Sequence, residues 1–582
     1  MKKLKEVIPQ RDKNNQITSE MLQFVSKISR SISEIQEGAN SVADVFVFLE
    51  LLGISDRIAK EKGFSGLSEL SRYVYNFVEF YEENKYGRHN KQMVAMPQNH
   101  IKETNARYGE TTSNKTSTLV KIPSFGEKLI EALSFYSPWL AAIILLNITG
   151  SSLWMVTTLP AGINTAFISG VFLGLVLTEG IMQTSGRVLT SSFSQKNLSE
   201  FKRTLLRTYL LMGIILASTT SLIIIIGSLM NFPLQLAMIL VGAMVSISLH
   251  RTSFLVMYAL KKFRNLIASY AGGFLSLLGV FYLLPDLIPD FTTRYFLSLG
   301  VAFAVLSSFA VYYHYKIIKG IGPSLLSDNN LPNFYNPPAE IKNSIKSVFK
   351  VQVWESIPYF VFGTFYFVLL FTDRVLSWLF NDFLYIASNG TVLPMVFNSD
   401  YHAGADIALL ILIPTIIIQH VVMAPIHHMA RNKLTTLTIS DTASLNRFLR
   451  GKYVRLMIIT LMSSLIPAIL INVFGEELMV LAKGSETSLK IMQYASVANV
   501  LLSIFMANSL FITFLNKAKI PAVIVFIGAL IIIIAGGILG RIGYEKIILA
   551  YLLASIIVSA SSTLFAIKII KNSGMRFLAR YS

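Results

Sequence analysis

The chain of 582 residues contains no cysteine, which excludes disulfide bridges, thiolate metal sites and a cysteine nucleophile. Charge is also scarce. Asp, Glu, Lys and Arg make up 14% of the residues, against about 25% in an average soluble protein. Acids are the scarcer sign, 33 against 51 bases, giving a formal net charge of +18. No Walker A, HExxH, GxSxG or DxD sequence occurs, so no ATP hydrolysis, enzyme activity, cofactor or metal is expected. Met1 to Gln10 lacks an apolar core, so no signal peptide is expected.

Apolar residues are abundant, 53% of the chain, and they fall in long blocks. One bilayer-spanning helix needs ~20 such residues. Twelve blocks qualify, at 137–158, 163–185, 208–230, 233–257, 265–285, 294–316, 353–377, 403–424, 453–474, 489–515, 520–540 and 547–569. The chain reads as an all-α polytopic membrane protein. Loops after even-numbered segments are basic, with Lys202, Arg203 and Arg207, then Lys261, Lys262 and Arg264, then Arg447, Arg450 and Lys452. Loops after odd-numbered segments hold few bases, such as Arg294 or Lys483. Positive charge is retained on the cytoplasmic side, so both termini are predicted to be cytoplasmic, in a cell membrane. That rule accounts for the basic excess without nucleic acid.

Composition divides the chain further. Residues 1–87 form a polar, amphipathic extension. Met21, Val25, Ile28, Ile32 and Ile35 make a short heptad stripe, followed by apolar clusters at Val42 to Ile54 and Leu67 to Tyr81. These faces predict a small helical module, which either docks a cytosolic partner or packs on itself. Residues 88–136 are a polar linker with an amphipathic lead-in. A connector at 318–352, with Pro323, Pro332, Pro337 and Pro338, separates six spans at 137–317 from six at 353–582. Such a division is what a two-repeat transporter shows.

Short stretches then resemble a known family. Ser124 to Ile130 (SFGEKLI) followed by Ser137-Pro-Trp-Leu140, Asp373-Arg-Val-Leu-Ser-Trp378 and Asn398-Ser-Asp-Tyr401 resemble segments of the Pel exopolysaccharide transporter subunit. The loop from Gly186-Arg187 to Arg203 resembles that of the wider MOP (MATE-like) flippase superfamily. The chain departs from the pattern at Ser137, Arg374 and His402, where the family has Gly, Lys and Asp. The resemblance implies two six-helix bundles around a cavity that opens alternately to either side. It also implies export of a polysaccharide or lipid-linked saccharide, with a cytosolic glycosyltransferase or other synthase subunit as partner.

Ionisable groups inside spans are costly, so each is a candidate for function. Glu179 and Gln183 share a face late in the second span and can bind sugar hydroxyls or a coupling ion; Glu179 can equally pair with Arg187. Glu355, at the start of the seventh span, can pair across a cavity with Arg187 or Arg251. Asp373 and Arg374 lie roughly 27 Å further along at 1.5 Å per residue, near Asp406 of the eighth span. They form either an outer gate or a static helix-end pair. His420, His427 and His428 cluster at the inner end of the eighth span, and Asn147, Asn499 and Asn508 are amides within spans. Trp139, Trp154, Phe365, Tyr366 and Phe371 suit either a sugar-stacking cavity or the lipid boundary. Two rivals to a saccharide exporter stand: a multidrug-type small-molecule antiporter, and a non-transporting scaffold for a polysaccharide synthase.

Overall fold

The computed structural model describes residues 126–134, 159–194, 198–318, 342–383, 392–436 and 442–571, with 385, 386 and 390. In the N-terminal region it describes 24–26, 28, 29, 45, 49, 54, 56–61 and 63–77. They belong to two compact units. One comprises Met1–Ile122, Pro337–Gln352 and Leu578–Ser582, the other Pro123–Asn336 and Val353–Phe577.

In the larger unit, long apolar runs become long helices because a helix satisfies its own backbone polar groups where water is absent. They are α1 (Ala161–Ser194), α2 (Leu198–Leu229), α3 (Leu234–Ala259), α4 (Phe263–Leu283) and α5 (Phe291–Ile318). Next come α6 (Lys342–Leu379), which belongs to this unit from Val353 onward, α7 (Ser399–Ala408), α8 (Leu412–Thr436) and α9 (Thr442–Val473). The last are α10 (Gly475–Ala482), α11 (Glu486–Phe514), α12 (Lys519–Gly540) and α13 (Ile547–Lys571). Among the described residues there is no strand beyond an isolated Ile386–Val392 bridge. Among the described residues eleven helical stretches are long and apolar enough to cross a membrane, and each coincides with one predicted segment from the second to the twelfth. The protein is a multi-pass, all-helical membrane protein. The first predicted span, 137–158, lies outside the described residues, as do Trp139, Asn147 and Trp154.

Helix ends follow local chemistry. Asn398 caps α7, its side chain accepting the Tyr401 N–H, and Ser485 and Ser488 form a capping box on α11. Asn231, Lys261, Lys483 and Asn516 adopt left-handed backbone after α2, α3, α10 and α11. At Lys261 the turn returns the Lys262 N–H to Met257 O and closes the end of α3. The helices form two groups. α1 packs on α2 and α3, and α4 on α5; beyond the connector α11 packs on α7, α9 and α13, and α12 on α13. α6 joins the second group, with Phe362 against Phe505 and Phe365 against Phe526.

The smaller unit has its own core. Val25, Ile28, Val45, Leu49, Phe64, Leu67, Leu70, Val74 and Phe77 are buried together, so the described members of the three predicted apolar clusters converge. Met21, Ile32, Ile35 and Tyr81 lie outside the described residues. Asp56 ties one turn to the next helix by accepting the Leu67 N–H at 2.8 Å. That bond, reinforced by Lys60, holds its carboxyl below the usual value of 3.8. A depressed folded-state pKa means the contribution is present above pH ~4 and lost as pH falls through the folded value. Asp56→Ala is therefore expected to speed hydrogen exchange across residues 67–77 at neutral pH. The difference from the unsubstituted chain should shrink on acidification.

Candidate functional site

A cavity of about 740 Å³ lies between the two helix groups of the larger unit and is lined by both. α1 contributes Leu175, Glu179, Gln183 and Arg187, and α3 contributes His250, Arg251 and Tyr258. Across it stand Tyr359, Phe362, Tyr366 and Phe367 of α6, with Leu412 and Ile416 of α8. The volume is that of a small-molecule site.

Its charged groups are paired. Arg251 meets Glu179 through an ion pair, and the Gln183 amide donates to the other Glu179 oxygen at 2.8 Å. The sequence pairing of Glu179 with Arg187 is not what forms; Arg251, on the facing helix α3, is the base that reaches it. Arg187 instead crosses to the second group. Its guanidinium lies 3.8 Å from the Glu355 carboxylate and 4.3 Å above the Tyr359 ring. Arg187 and Glu355 are 37% and 55% exposed, so this end of the cavity is open, while Leu175, Phe367 and Leu370 bury the other. Beside the open end, helix 126–134 touches both groups: the Tyr258 hydroxyl donates to Ser134 O at 3.4 Å, and Glu131 lies 3.7 Å from His420. The side chains of His427 and His428 lie outside the described residues.

α1 and α6 cross where neither has a side chain. A Cβ on Gly180 would sit 2.8 Å from Phe360 O, and one on Gly363 would sit 3.0 Å from Glu179 O. Glycine is required here by close approach rather than by backbone angle.

Beyond the blind end the two groups meet tightly. The Phe397 N–H donates to Thr165 Oγ1 at 2.8 Å, and Ala166 and Leu236 pack on Leu393 and Val396. Here lie Asp373, Arg374 and Asp406, all three buried. Arg374 Nε donates to Asp406 at 2.7 Å and its terminal nitrogen to Asp373 at 3.0 Å and Leu370 O at 2.9 Å. Asp373 also accepts the Tyr401 hydroxyl at 3.0 Å; Asp406 pairs with His402 Nδ1 at 2.8 Å, and Trp378 Nε1 donates to His402 Nε2 at 3.0 Å. All these ion pairs lie within the second group, linking α6 to α7. The first group reaches them through Phe172, whose ring stacks 4.0 Å from Phe371 and 5.7 Å from Trp378.

Tyr401, His402 and Trp378 were not singled out for chemistry from sequence, although the i, i+4 spacing of His402 and Asp406 carries that signal. His250, Tyr258 and Tyr270 were also missed. Asn499 and Asn508 bridge helices, accepting from Tyr551 at 2.7 Å and Tyr453 at 2.8 Å. Phe365 packs on α12, Phe371 lies under Phe172, and Tyr366 lines the cavity.

No protein-family model matches the chain, and no curated protein matches it. Solved structures similar to it include an inward-facing multidrug resistance MATE family transporter of the MOP superfamily, at 12% identity and a TM-score of 0.49, covering 77% of this chain and 95% of that one. A MOP superfamily transporter from Pyrococcus furiosus Vc1 gives 12% identity and a TM-score of 0.49, with 77% and 94% covered. A MATE protein in its straight conformation gives 14% and 0.48, with 76% and 95% covered.

Breaking one partner of a buried ion pair costs about 3–5 kcal/mol, while replacing the whole set by apolar groups costs far less. Arg374→Met is therefore expected to lower the melting temperature sharply, and the triple change Arg374→Met, Asp373→Leu, Asp406→Leu to recover much of it. Gly363→Val should separate α1 from α6 and raise the accessibility of a reporter at Gln183, read by cysteine labelling of Gln183→Cys.

Proposed function

We propose that the protein is a transporter of the MOP (MATE-like) type that moves a lipid-linked saccharide, or a polysaccharide, out of the cytoplasm by alternating access. The observation that carries this reading is the cavity shared by two helix groups, open at the Arg187–Glu355 end and sealed at the Thr165–Phe397 end. The basic loops assign the open end to the cytoplasm, which makes this an inward-open arrangement with both termini inside. Glu179, Gln183 and Arg187, with Glu355, then form the substrate entrance. Asp373, Arg374 and Asp406 brace the outer gate, and Phe172 and Thr165 leave that braced surface when the outer side opens.

The volume favours a lipid-linked precursor over a thick glycan chain. It also bears on the multidrug rival, which needs an acid free to meet a cation. Glu179 and Glu355 are both engaged by arginines. The Pel-type resemblance supports a saccharide, and membrane lipid together with a cytosolic glycosyltransferase or other synthase subunit are the partners this reading requires. The scaffold rival is tested by deleting residues 1–120, which should leave flux if the protein transports.

Deleting the gene is expected to remove surface polysaccharide and accumulate cytosolic or lipid-linked glycan. An unchanged glycan profile would sink the saccharide assignment. The absence of cysteine makes a second test clean. The pair Glu131→Cys with His420→Cys should be bridged by a short bis-methanethiosulfonate cross-linker, which ties helix 126–134 to α8 and should stop export until a reductant releases it.

A further inference from the structure

At the sealed end of the cavity the neighbours of His402 hold it in a single protonation state. Trp378 Nε1 is a donor only, and it donates to His402 Nε2 at 3.0 Å. That nitrogen must therefore offer its lone pair, which puts the ring hydrogen on Nδ1, 2.8 Å from the Asp406 carboxylate that accepts it. The ring is neutral and both of its nitrogens are engaged. A second proton has no place to land, because on Nε2 it would set two N–H groups against each other. We propose that His402 is a proton-operated latch on the outer gate, locked neutral while the gate is closed and protonated once it opens. The proposal rests on the alternating-access reading.

The first helix group keeps the lock shut. Phe172 of α1 stacks 5.7 Å from Trp378 and 6.1 Å from His402. Phe397, whose ring lies 4.4 Å from that of His402, is fastened through its N–H to Thr165 Oγ1. When Phe172 and Thr165 withdraw, Trp378 and Phe397 lose the packing that aligns them, and water reaches Nε2. Asp406 stays beside Nδ1, so an imidazolium formed there faces a carboxylate. The open state binds the proton and the closed state refuses it. A ligand that prefers one state draws the population towards that state, so acidity opens the outer side.

The other ionisable groups around the ring are committed elsewhere. On α6, Arg374 is bonded to both Asp373 and Asp406. On α7, Tyr401 donates to Asp373, and Asp400 lies towards Tyr544. On α13, Tyr551 donates to Asn499. α1 presents Phe172 here, and α11 presents Ile491 and Met492 to the close contact at Gly404; none of these titrates. Histidine is the side chain whose ordinary titration falls between about pH 5 and 8. The Pel-type pattern has Asp at this position, so the latch is a property of this chain.

The chain has no cysteine of its own, so nitroxides on Leu234→Cys in α3 and Val480→Cys in α10 report on the two groups without background. Both positions are exposed. Their separation is read by double electron–electron resonance on the full chain in phosphatidylcholine nanodiscs, at about pH 7.5 and about pH 5.5. With histidine titrating at about 6.5 in the open state and not at all in the closed one, the ratio of long to short distances should rise about tenfold on acidification. His402→Gln and His402→Asn keep a hydrogen-bonding amide and cannot titrate. Either variant, at an unaltered melting temperature, should show one ratio at both pH values. Trp378→Phe leaves Nε2 free in the closed state and should shrink the rise. An unchanged ratio in the spin-labelled parent, or a full rise surviving in these variants, overturns the latch. Surface polysaccharide lost on gene deletion together with a pH-insensitive ratio overturns the latch and leaves the transport reading. An unchanged glycan profile with a rise that depends on His402 overturns the saccharide reading and leaves the latch standing.

Discussion

The arrangement of the second helix group depends on the burial of Arg374. Its guanidinium is taken out of water entirely, and a charge in that position must find all its partners within the protein. It finds Asp406, Asp373 and a carbonyl of its own helix. Each carboxylate then commands a further group: Asp373 takes Tyr401, and Asp406 takes His402, which accepts from Trp378. The break between α6 and α7 is thereby tied on both sides. An apolar set would fill the same space at comparable stability. Ionic partners, by contrast, fix which ring lies where, and so fix the surface on which Phe172 stacks.

That fixed surface and the cavity share α1 and α6. α1 presents Thr165 and Phe172 at the closed end and Glu179, Gln183 and Arg187 along the cavity; α6 presents Trp378 and Arg374 at the closed end and Tyr359 at the other. Two helices therefore carry both the closed end and the open end of the cavity, so under the proposed transport reading the two ends are coupled.

The spans were legible because an apolar run of about twenty residues has few other fates. The Glu179–Gln183 contact followed from i, i+4 spacing, and the meeting of Asp373, Arg374 and Asp406 from their common depth in consecutive spans. Depth is readable along a sequence; azimuth is not. A helix apolar on all sides gives no signal of which face meets its neighbours. For that reason Arg251, 72 positions away, took Glu179 in place of Arg187. His250 and Tyr270 carry no motif or spacing that singles them out in the sequence. In the N-terminal unit, Val25, Ile28, Leu70 and Val74 were legible as core because amphipathic helices in water do encode their azimuth.

The glycine contact between α1 and α6 has a mechanical consequence. Phe360 and Thr364 pack against the bare backbone of Gly180 and Gln183 against that of Gly363, so the two helices meet at one close pivot. Its position along α1 is off-centre. Thr165 lies fifteen residues from Gly180 and Arg187 only seven, arms of roughly 22 and 10 Å at 1.5 Å per residue. The pair thus forms an unequal lever. In the proposed transport cycle, a tilt about that pivot which draws the Arg187 end through a given distance would swing the Thr165 end about twice as far, gearing a small closing at the Arg187–Glu355 end to a wide parting at the Thr165–Phe397 end.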